Sequence, residues 1–181
     1  MKKLLVLVVL FSFLLLNGQE KLVQKNANIS FESLFLKSFQ DVKATNENAT
    51  VVLNTKTGEF ACLALIKGFR FEVALMEEHF NENYIESTKF PKAIFKGQIA
   101  DFDINKISSE YKNFNVKGVL ELHGVKKEMT IVLVISKDFY NRIIIKSNFF
   151  INNDDHNIII PNIVKNKISD KIAVKFESIF N

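Results

Sequence analysis

The chain has 181 residues, 48% of them hydrophobic, which is enough for one domain with a sizeable core and rarely enough for two. The formal net charge at pH 7 is +4, and charged residues of both signs are spread along the chain, which argues against the concentrated basic face of a nucleic-acid-binding protein. The single cysteine excludes an internal disulfide.

The N-terminus has the pattern of an export signal. Lys2 and Lys3 precede an apolar stretch over residues 4–16, and a small residue follows it. The stretch is shorter than the roughly 20 residues that span a bilayer, and no cysteine follows it to carry a lipid. We predict a cleaved signal peptide over residues 1–18 and a mature domain over residues 19–181 that is periplasmic or secreted. Cleavage removes both lysines and lowers the formal charge from +4 to +2.

The mature chain is a series of segments in which apolar and polar residues alternate. Such alternation is typical of strands with one face in a core. In chain order, the predicted strands cover residues 29–35, 49–53, 59–68, 93–99, 116–122, 128–136, 142–151 and 172–180. Turn residues at 54–58 and 123–126 indicate hairpins. We predict an all-β, mainly antiparallel barrel of about eight strands, whose interior holds either packed side chains or one slender ligand.

The segment from Glu72 to Glu82 differs from the others because it does not alternate. Its apolar positions instead fall at helical spacings: Leu75, Met76, His79 and Phe80. We predict a short amphipathic helix, followed by a loop that crosses an end of the barrel to the strand that begins after Pro91. Its acidic residues, Glu77, Glu78 and Glu82, are expected to keep the other face of the helix wet.

Catalytic and metal sites receive little support from the sequence. His79 and Glu82 lie about one helical turn apart, but two ligands do not make a site, and no HExxH or paired CxxC motif accompanies them. No GxSxG motif or nucleophile with an evident base is present. Adjacent carboxylates at 77–78 and 154–155 are typical of an acidic surface. We predict no catalytic residue, no metal and no required cofactor.

Three small residues bear on the interior. Cys62 has apolar neighbours on both sides, which predicts a buried thiol. Gly97 and Gly118 occupy apolar-face positions where a filled core would carry Val or Ile. Two explanations remain open for these glycines: they leave room for a cavity, or they mark a bulge or bend that closes the barrel.

Three segments together resemble a known family: KGFRFEVALMEEHFNENYIESTKFPKAIFKGQI (67–99), VKGVLELHGVKKEMTI (116–131) and KNKISDKIAVKFES (165–178). The most distinctive parts are the His79-Phe80 pair followed by KFPKAIFKG (89–97), and the LHGVKK run (122–127). These segments are similar to the YceI-like family of exported bacterial proteins. The resemblance implies an extended lipocalin-like barrel, with one or two short helices at an end, that binds a long isoprenoid or related amphiphilic lipid and has no catalytic centre.

No short family motif specifies the ligand contacts, so the cavity residues are predicted from the alternation. The predicted lining consists of Phe31, Phe35, Phe95, Ile99, Val116, Leu120, Ile131, Leu133 and Phe176. The predicted mouth or cover consists of Phe69, Phe71, Met76 and Phe80. Many family members carry an arginine followed closely by D-F-G or D-Y-G before the last strand. The nearest match here is Lys146-Ser-Asn-Phe-Phe150, so a polar head-group contact is not carried over.

The functional prediction is non-enzymatic binding, carriage or sequestration of such a lipid in the bacterial envelope. The expected partner is an apolar lipid, with no nucleic acid and no stable membrane insertion, and a homodimer is left open. Two alternatives remain. A filled, ligand-free barrel would act as a protein-interaction or stress-response module, and an envelope enzyme would require polar groups converging near His79, Glu82 or His123.

Overall fold

The computed structural model describes residues 20–33, 42–162 and 169–180. The strands are β1 (Lys21–Ser33), β2 (Lys43–Asn54), β3 (Glu59–Leu65), β4 (Arg70–Phe71), β5 (Lys92–Ile99), β6 (Lys112–Leu122), β7 (Val125–Lys137), β8 (Ile143–Asn152) and β9 (Lys171–Phe180). One helix, α1 (Ala74–His79), continues into a π-helical turn (Phe80–Tyr84) before β5. Short 3-10 turns cover Ile66–Gly68, Ile104–Lys106 and Asp154–His156. The predicted signal peptide and Phe35 lie outside the described residues.

The sheet closes on itself. Its strand order is β1-β9-β8-β7-β6-β5-β3-β2-β4, every pairing is antiparallel, and β1 also pairs with β2. The two-residue β4 pairs only with β2 at the rim. Eight long strands therefore form the barrel, which confirms the predicted fold class. None of the helices in the described part of the chain is long and apolar enough to cross a membrane.

Two of the tight turns form where the sequence predicts them. After β2, the side-chain oxygen of Asn54 accepts hydrogen bonds from the amides of Lys56 and Thr57, at 3.0 and 3.1 Å. Between β6 and β7, His123 and Gly124 both have positive φ, 51° and 75°, as a two-residue type I′ hairpin requires. The predicted strand 59–68 ends earlier, at Leu65, because the next three residues form a 3-10 turn.

The two ends of the barrel differ. The closed end carries the β2–β3 and β7–β8 turns, and the open end carries α1 and the β6–β7 hairpin. Side chains near the closed end fill the interior and have almost no exposed surface: Leu53, Ile99, Val116, Leu133, Ile135 and Ile145. Branched aliphatic residues at these alternating positions make the closed end a dry core that holds the strands in register.

Gly97 and Gly118 explain how two strands of this wall approach each other. They face each other directly in the β5–β6 pairing, whose register continues without a shift. A Cβ atom on Gly118 would lie 2.5 Å from the carbonyl oxygen of Lys96 and 2.6 Å from Cζ of Phe95. The space above Gly118 is therefore occupied by the Phe95 ring. The two glycines leave no cavity and mark no bulge between β5 and β6, so those two explanations are wrong, whereas a bend that closes the barrel stays a prediction.

We predict that Gly118→Ala destabilises the barrel. The added methyl group meets backbone atoms that cannot move away cheaply, so the free energy of unfolding should fall by about 2 kcal/mol in urea denaturation. Lys117→Ala, at the adjacent exposed position, is the control and should change it by less than about 0.5 kcal/mol. Equal stability of the two variants would contradict the packing described for Gly118.

Candidate functional site

The open half of the barrel contains a cavity of about 530 Å³. Its wall is almost entirely apolar and comes from seven of the eight barrel strands, from the short strand β4, from α1 with its π-helical turn, and from the loop before β9. Among the apolar lining residues are Ile29, Phe31, Phe60, Ala64, Ala93, Phe95, Leu120, Leu122, Ile131, Phe149, Ile151, Ile172, Val174 and Phe176. A cavity of this size and character is typical of a site for a small apolar ligand.

The cavity exists because small residues occupy inward positions in the open half. Along β3, the inward side chains decrease in size from Phe60 to Cys62 to Ala64 toward the open end, and all three line the cavity. On the neighbouring β5, Ala93 pairs with Ala64, and Phe95 pairs with Cys62. Phe60 and Phe95 therefore fill the barrel on these two strands, and Ala64 and Ala93 leave it empty above Phe95. The decrease in side-chain size along the alternating positions of β3 is the sequence signal for this cavity.

Three phenylalanine rings form the inner end of the cavity, which we call the floor: Phe60, Phe95 and Phe176. The centroid of the Phe60 ring lies 6.2 Å from that of Phe95 and 5.9 Å from that of Phe176. Both pairs are in the tilted or edge-to-face arrangements that aromatic rings prefer. All three side chains are buried, and the dry core of the closed end continues beyond them.

A second group of four phenylalanine rings surrounds the mouth, and we call it the mouth cluster: Phe31, Phe69, Phe71 and Phe80. The ring of Phe80, the first residue after α1, lies 5.4 Å from that of Phe31, 6.2 Å from that of Phe69 and 5.1 Å from that of Phe71. These contacts join the segment after α1 to β1 and to the short strand β4. Met76 of α1 lines the cavity beside them.

Packing and one ion pair hold α1 in place. A six-residue helix is unstable alone, and α1 has no side-chain cap at its N-terminus. The Glu77 carboxylate accepts hydrogen bonds from Nη1 of Arg70 at 2.7 Å and from the amide of Phe71 at 3.1 Å. Glu77 therefore connects the helix to the rim of the barrel. The prediction that Glu77 only keeps one face of the helix in contact with solvent is wrong. Glu78 and Glu82 are exposed as predicted.

His123 joins two loops at the same end. Its Nδ1 lies 3.0 Å from the carbonyl oxygen of His156, and its Nε2 lies 3.1 Å from a carboxylate oxygen of Glu86. The ring of Phe90 packs edge-on against His123 at 4.4 Å and also lies where a Cβ on Gly124 would be. The distinctive sequence runs around 90 and 123 thus meet in space, and their contacts are structural.

The loop before β9 supplies a part of the wall that the sequence analysis missed. Ile158 and Ile160 are buried and line the cavity, whereas Ile159 between them is exposed. Asn153 is buried below this loop, and its amide nitrogen donates to the carbonyl oxygen of Ser169 at 3.3 Å. The alternating exposure resembles that of a strand, although these residues pair with none. The three consecutive isoleucines before Pro161 were the available signal.

Few polar groups face the cavity, and the hydroxyl among them that forms a hydrogen bond is already paired with the backbone. The Ser147 hydroxyl donates to the carbonyl oxygen of Val132 at 2.7 Å. Burial raises the pKa of the Cys62 thiol to about 12, and the part of this side chain that is not covered faces the cavity. Lys146 points to the outside of the barrel, where it pairs with Glu177 at 3.0 Å, so it supplies no head-group contact inside.

Not all predicted lining residues lie on the cavity. Five do: Phe31, Phe95, Leu120, Ile131 and Phe176. Ile99, Val116 and Leu133 lie instead in the packed core of the closed end. Alternation identifies inward-facing residues, but it does not show at which level the barrel is filled. All four predicted mouth residues, Phe69, Phe71, Met76 and Phe80, line the cavity. Direct contact of any of these residues with a ligand stays a prediction.

The residues weighed as metal ligands do not assemble into a site. His79 lies at the mouth of the cavity, and Glu82 is exposed. Within residues 20–33, 42–162 and 169–180, no group of three or more His, Cys, Asp and Glu side chains is placed to hold a metal ion. Near His123, where the alternative enzyme would require converging polar groups, the two ring nitrogens contact Glu86 and the backbone of His156.

Solved structures with the same fold support this architecture. A polyisoprenoid binding domain from Saccharophagus degradans, implicated in plant cell wall breakdown, matches with a TM-score of 0.73 at 14% identity, covering 88% of this chain and 97% of that one. BcnA from Burkholderia cenocepacia matches with a TM-score of 0.70 at 13% identity, covering 86% and 96%. The YCEI protein of Campylobacter jejuni matches with a TM-score of 0.63 at 17% identity, covering 80% and 87%.

Sequence comparison agrees with the fold. No curated protein matches the chain. The model of the YceI-like domain matches residues 21–180, which is nearly the whole predicted mature chain and includes every strand of the barrel. The resemblance inferred from the three sequence segments is therefore confirmed, and the chain belongs to the YceI-like domain family.

Proposed function

We propose that this protein binds an isoprenoid or a similar amphiphilic lipid, with the apolar tail inside the barrel, and that it carries or sequesters this lipid in the bacterial envelope. The observation that carries the proposal is the apolar cavity of about 530 Å³, which is continuous from the mouth cluster to the floor. A barrel that served only as a packed scaffold has no need for small residues at the inward positions of β3 and β5.

The energetics favour a long apolar tail. Each buried methylene group contributes about 0.8 kcal/mol, whereas association costs roughly 4–15 kcal/mol in lost freedom. About twelve buried methylenes therefore offset a mid-range association cost, and longer tails bind with a net gain. The lining offers few polar partners, so this gain must come from the tail and not from the head group.

The comparison with known structures supports the same class of ligand. The Saccharophagus degradans protein, which shares the fold over 88% of this chain, is described as a polyisoprenoid binding domain. The identity of 14% is too low to carry over its ligand contacts. We therefore base the ligand class on the cavity, and the relative adds an example of the same barrel used for an apolar chain.

A binding role without catalysis fits the chemistry of the wall. Cys62 stays a protonated thiol at neutral pH, since burial raises its pKa to about 12. The hydroxyl of Ser147 is engaged with a backbone carbonyl and has no neighbouring base among its hydrogen-bond partners. Neither group is activated as a nucleophile.

The proposed location follows from residues 1–18, whose pattern is that of a cleaved export signal. An apolar lipid needs a protein cover to move through an aqueous compartment. A barrel that encloses the tail and opens only at one end provides such a cover.

A filling substitution tests the proposal. Ala64→Leu adds three carbon atoms inside the cavity, so it should displace a similar amount of ligand and weaken lipid binding by about tenfold or more. The measurement is titration of the mature protein with a fluorescent fatty acid or isoprenoid probe. Ala61→Leu, at an outward position of the same strand, is the matched control and should bind as the wild type does.

Circular dichroism checks that both leucine variants, Ala64→Leu and Ala61→Leu, are folded. Wild-type protein that binds no apolar probe would contradict the proposed function. Equal binding by folded Ala64→Leu and wild type would show that the probe binds outside the barrel.

Cys62 provides an independent measurement of the cavity. Because burial raises the pKa of Cys62 to about 12, the thiol is almost wholly protonated at pH 8. Iodoacetamide should therefore alkylate the folded protein at least about tenfold more slowly than the unfolded chain. Since deprotonation makes the thiol reactive, the rate should rise about tenfold per pH unit up to roughly pH 11. A folded-state rate close to that of the unfolded chain would contradict the burial of Cys62.

A further inference from the structure

The floor of the cavity suggests a limit on the length of the ligand. The small inward residues Cys62, Ala64 and Ala93 leave the upper barrel empty, whereas Phe60, Phe95 and Phe176 close it below. Beyond these rings, the interior is occupied by the fully buried aliphatic core. A tail that enters from the mouth therefore meets a wall of three aromatic rings at the inner end of the cavity.

The position of the Phe95 ring is fixed by a neighbouring glycine. Gly118 has no side chain, and Cζ of Phe95 occupies the place where its Cβ would lie, at 2.6 Å. Phe95 is also held from the side by Phe60, which in turn contacts Phe176. Each floor ring thus packs against another floor ring, and Phe95 also packs against the wall at Gly118.

The volume of the cavity above the floor gives an approximate number of ligand carbon atoms that the barrel can enclose. A methylene group occupies about the same volume as a water molecule, which takes up about 30 Å³ in the liquid. A cavity of about 530 Å³ therefore encloses roughly 18 carbon-sized groups. This corresponds to about three to four isoprene units, and any further units of a longer chain must remain outside the mouth.

We propose that Phe60, Phe95 and Phe176 act as a ruler that sets the enclosed length of the ligand tail at roughly 18 carbon atoms. The proposal rests on the proposed lipid-binding function and specifies the ligand further. Units beyond the limit gain no burial, so affinity rises with chain length up to the limit and then stops rising. The specificity is carried by ring packing at the floor and not by recognition of the head group.

A series of isoprenoid alcohols tests the ruler. Alcohols of two, three, four, six and eight isoprene units compete with a fluorescent fatty acid for the mature wild-type protein. Affinity should increase at least tenfold from two to three units, because those units are enclosed. It should change by less than about threefold from four units to eight.

Substitutions at the floor should move the limit. Phe176→Ala removes a floor ring, so the affinity should continue to rise for about one further isoprene unit. Phe176→Leu is the milder variant if the alanine variant does not fold, and it should shift the limit in the same direction. Cys62→Leu fills the space beside Phe95 and should shorten the limit.

Phe114→Ala is the matched control. Phe114 is as buried as Phe176, but it packs against Phe102 near the closed end and does not line the cavity. It should weaken the fold without changing the limit. Thermal unfolding of each variant, with and without ligand, separates a loss of stability from a change in length preference.

The outcomes are distinguishable. If no alcohol of any length binds the wild type, the proposed function itself fails. If the wild type binds and affinity keeps rising through eight units, or if the limit stays unchanged in folded Phe176→Leu and Cys62→Leu, the ruler is overturned while lipid binding stands. A limit that lengthens with Phe176→Leu and shortens with Cys62→Leu supports it.

Discussion

The width of a closed eight-stranded barrel is fixed, so the sizes of the inward side chains decide where the interior is solid and where it is empty. In this protein the closed end carries branched aliphatic residues and is dry, whereas the open end carries Cys62, Ala64 and Ala93 and is hollow. Three phenylalanines mark the boundary. The cavity is thus a property of the wall itself, and the loops at the open end only finish it.

Those loops make the mouth a defined structure. The Phe80 ring joins the segment after α1 to β1 and β4, Glu77 fixes the helix to the rim, and His123 connects the loop before β5 to the loop before β9. The most distinctive sequence runs of the chain lie in these contacts. Their positions agree with the proposed entrance for a lipid tail, and their contacts combine aromatic packing with hydrogen bonds to side chains and to the backbone.

The sequence predicted the barrel, the hairpins and the helix because alternation and turn residues are local signals. It did not predict which inward residues face a cavity, because the depth at which Val116 or Leu133 sits depends on the stagger between strands that are distant in sequence. The role of Gly118 was also missed, since it depends on the ring of Phe95 across the strand pair. Likewise, Ile158 and Ile160 become part of the wall only through the path of a loop that pairs with no strand.

The most direct test of the central claim is the content of the cavity in protein made by its own cells. The mature chain, residues 19–181, is purified under gentle conditions, extracted with organic solvent and analysed by mass spectrometry. We expect one long-chain lipid per protein molecule, released on unfolding. Protein that carries no lipid, and that takes up none when mixed with a total lipid extract of the same cells, would contradict it.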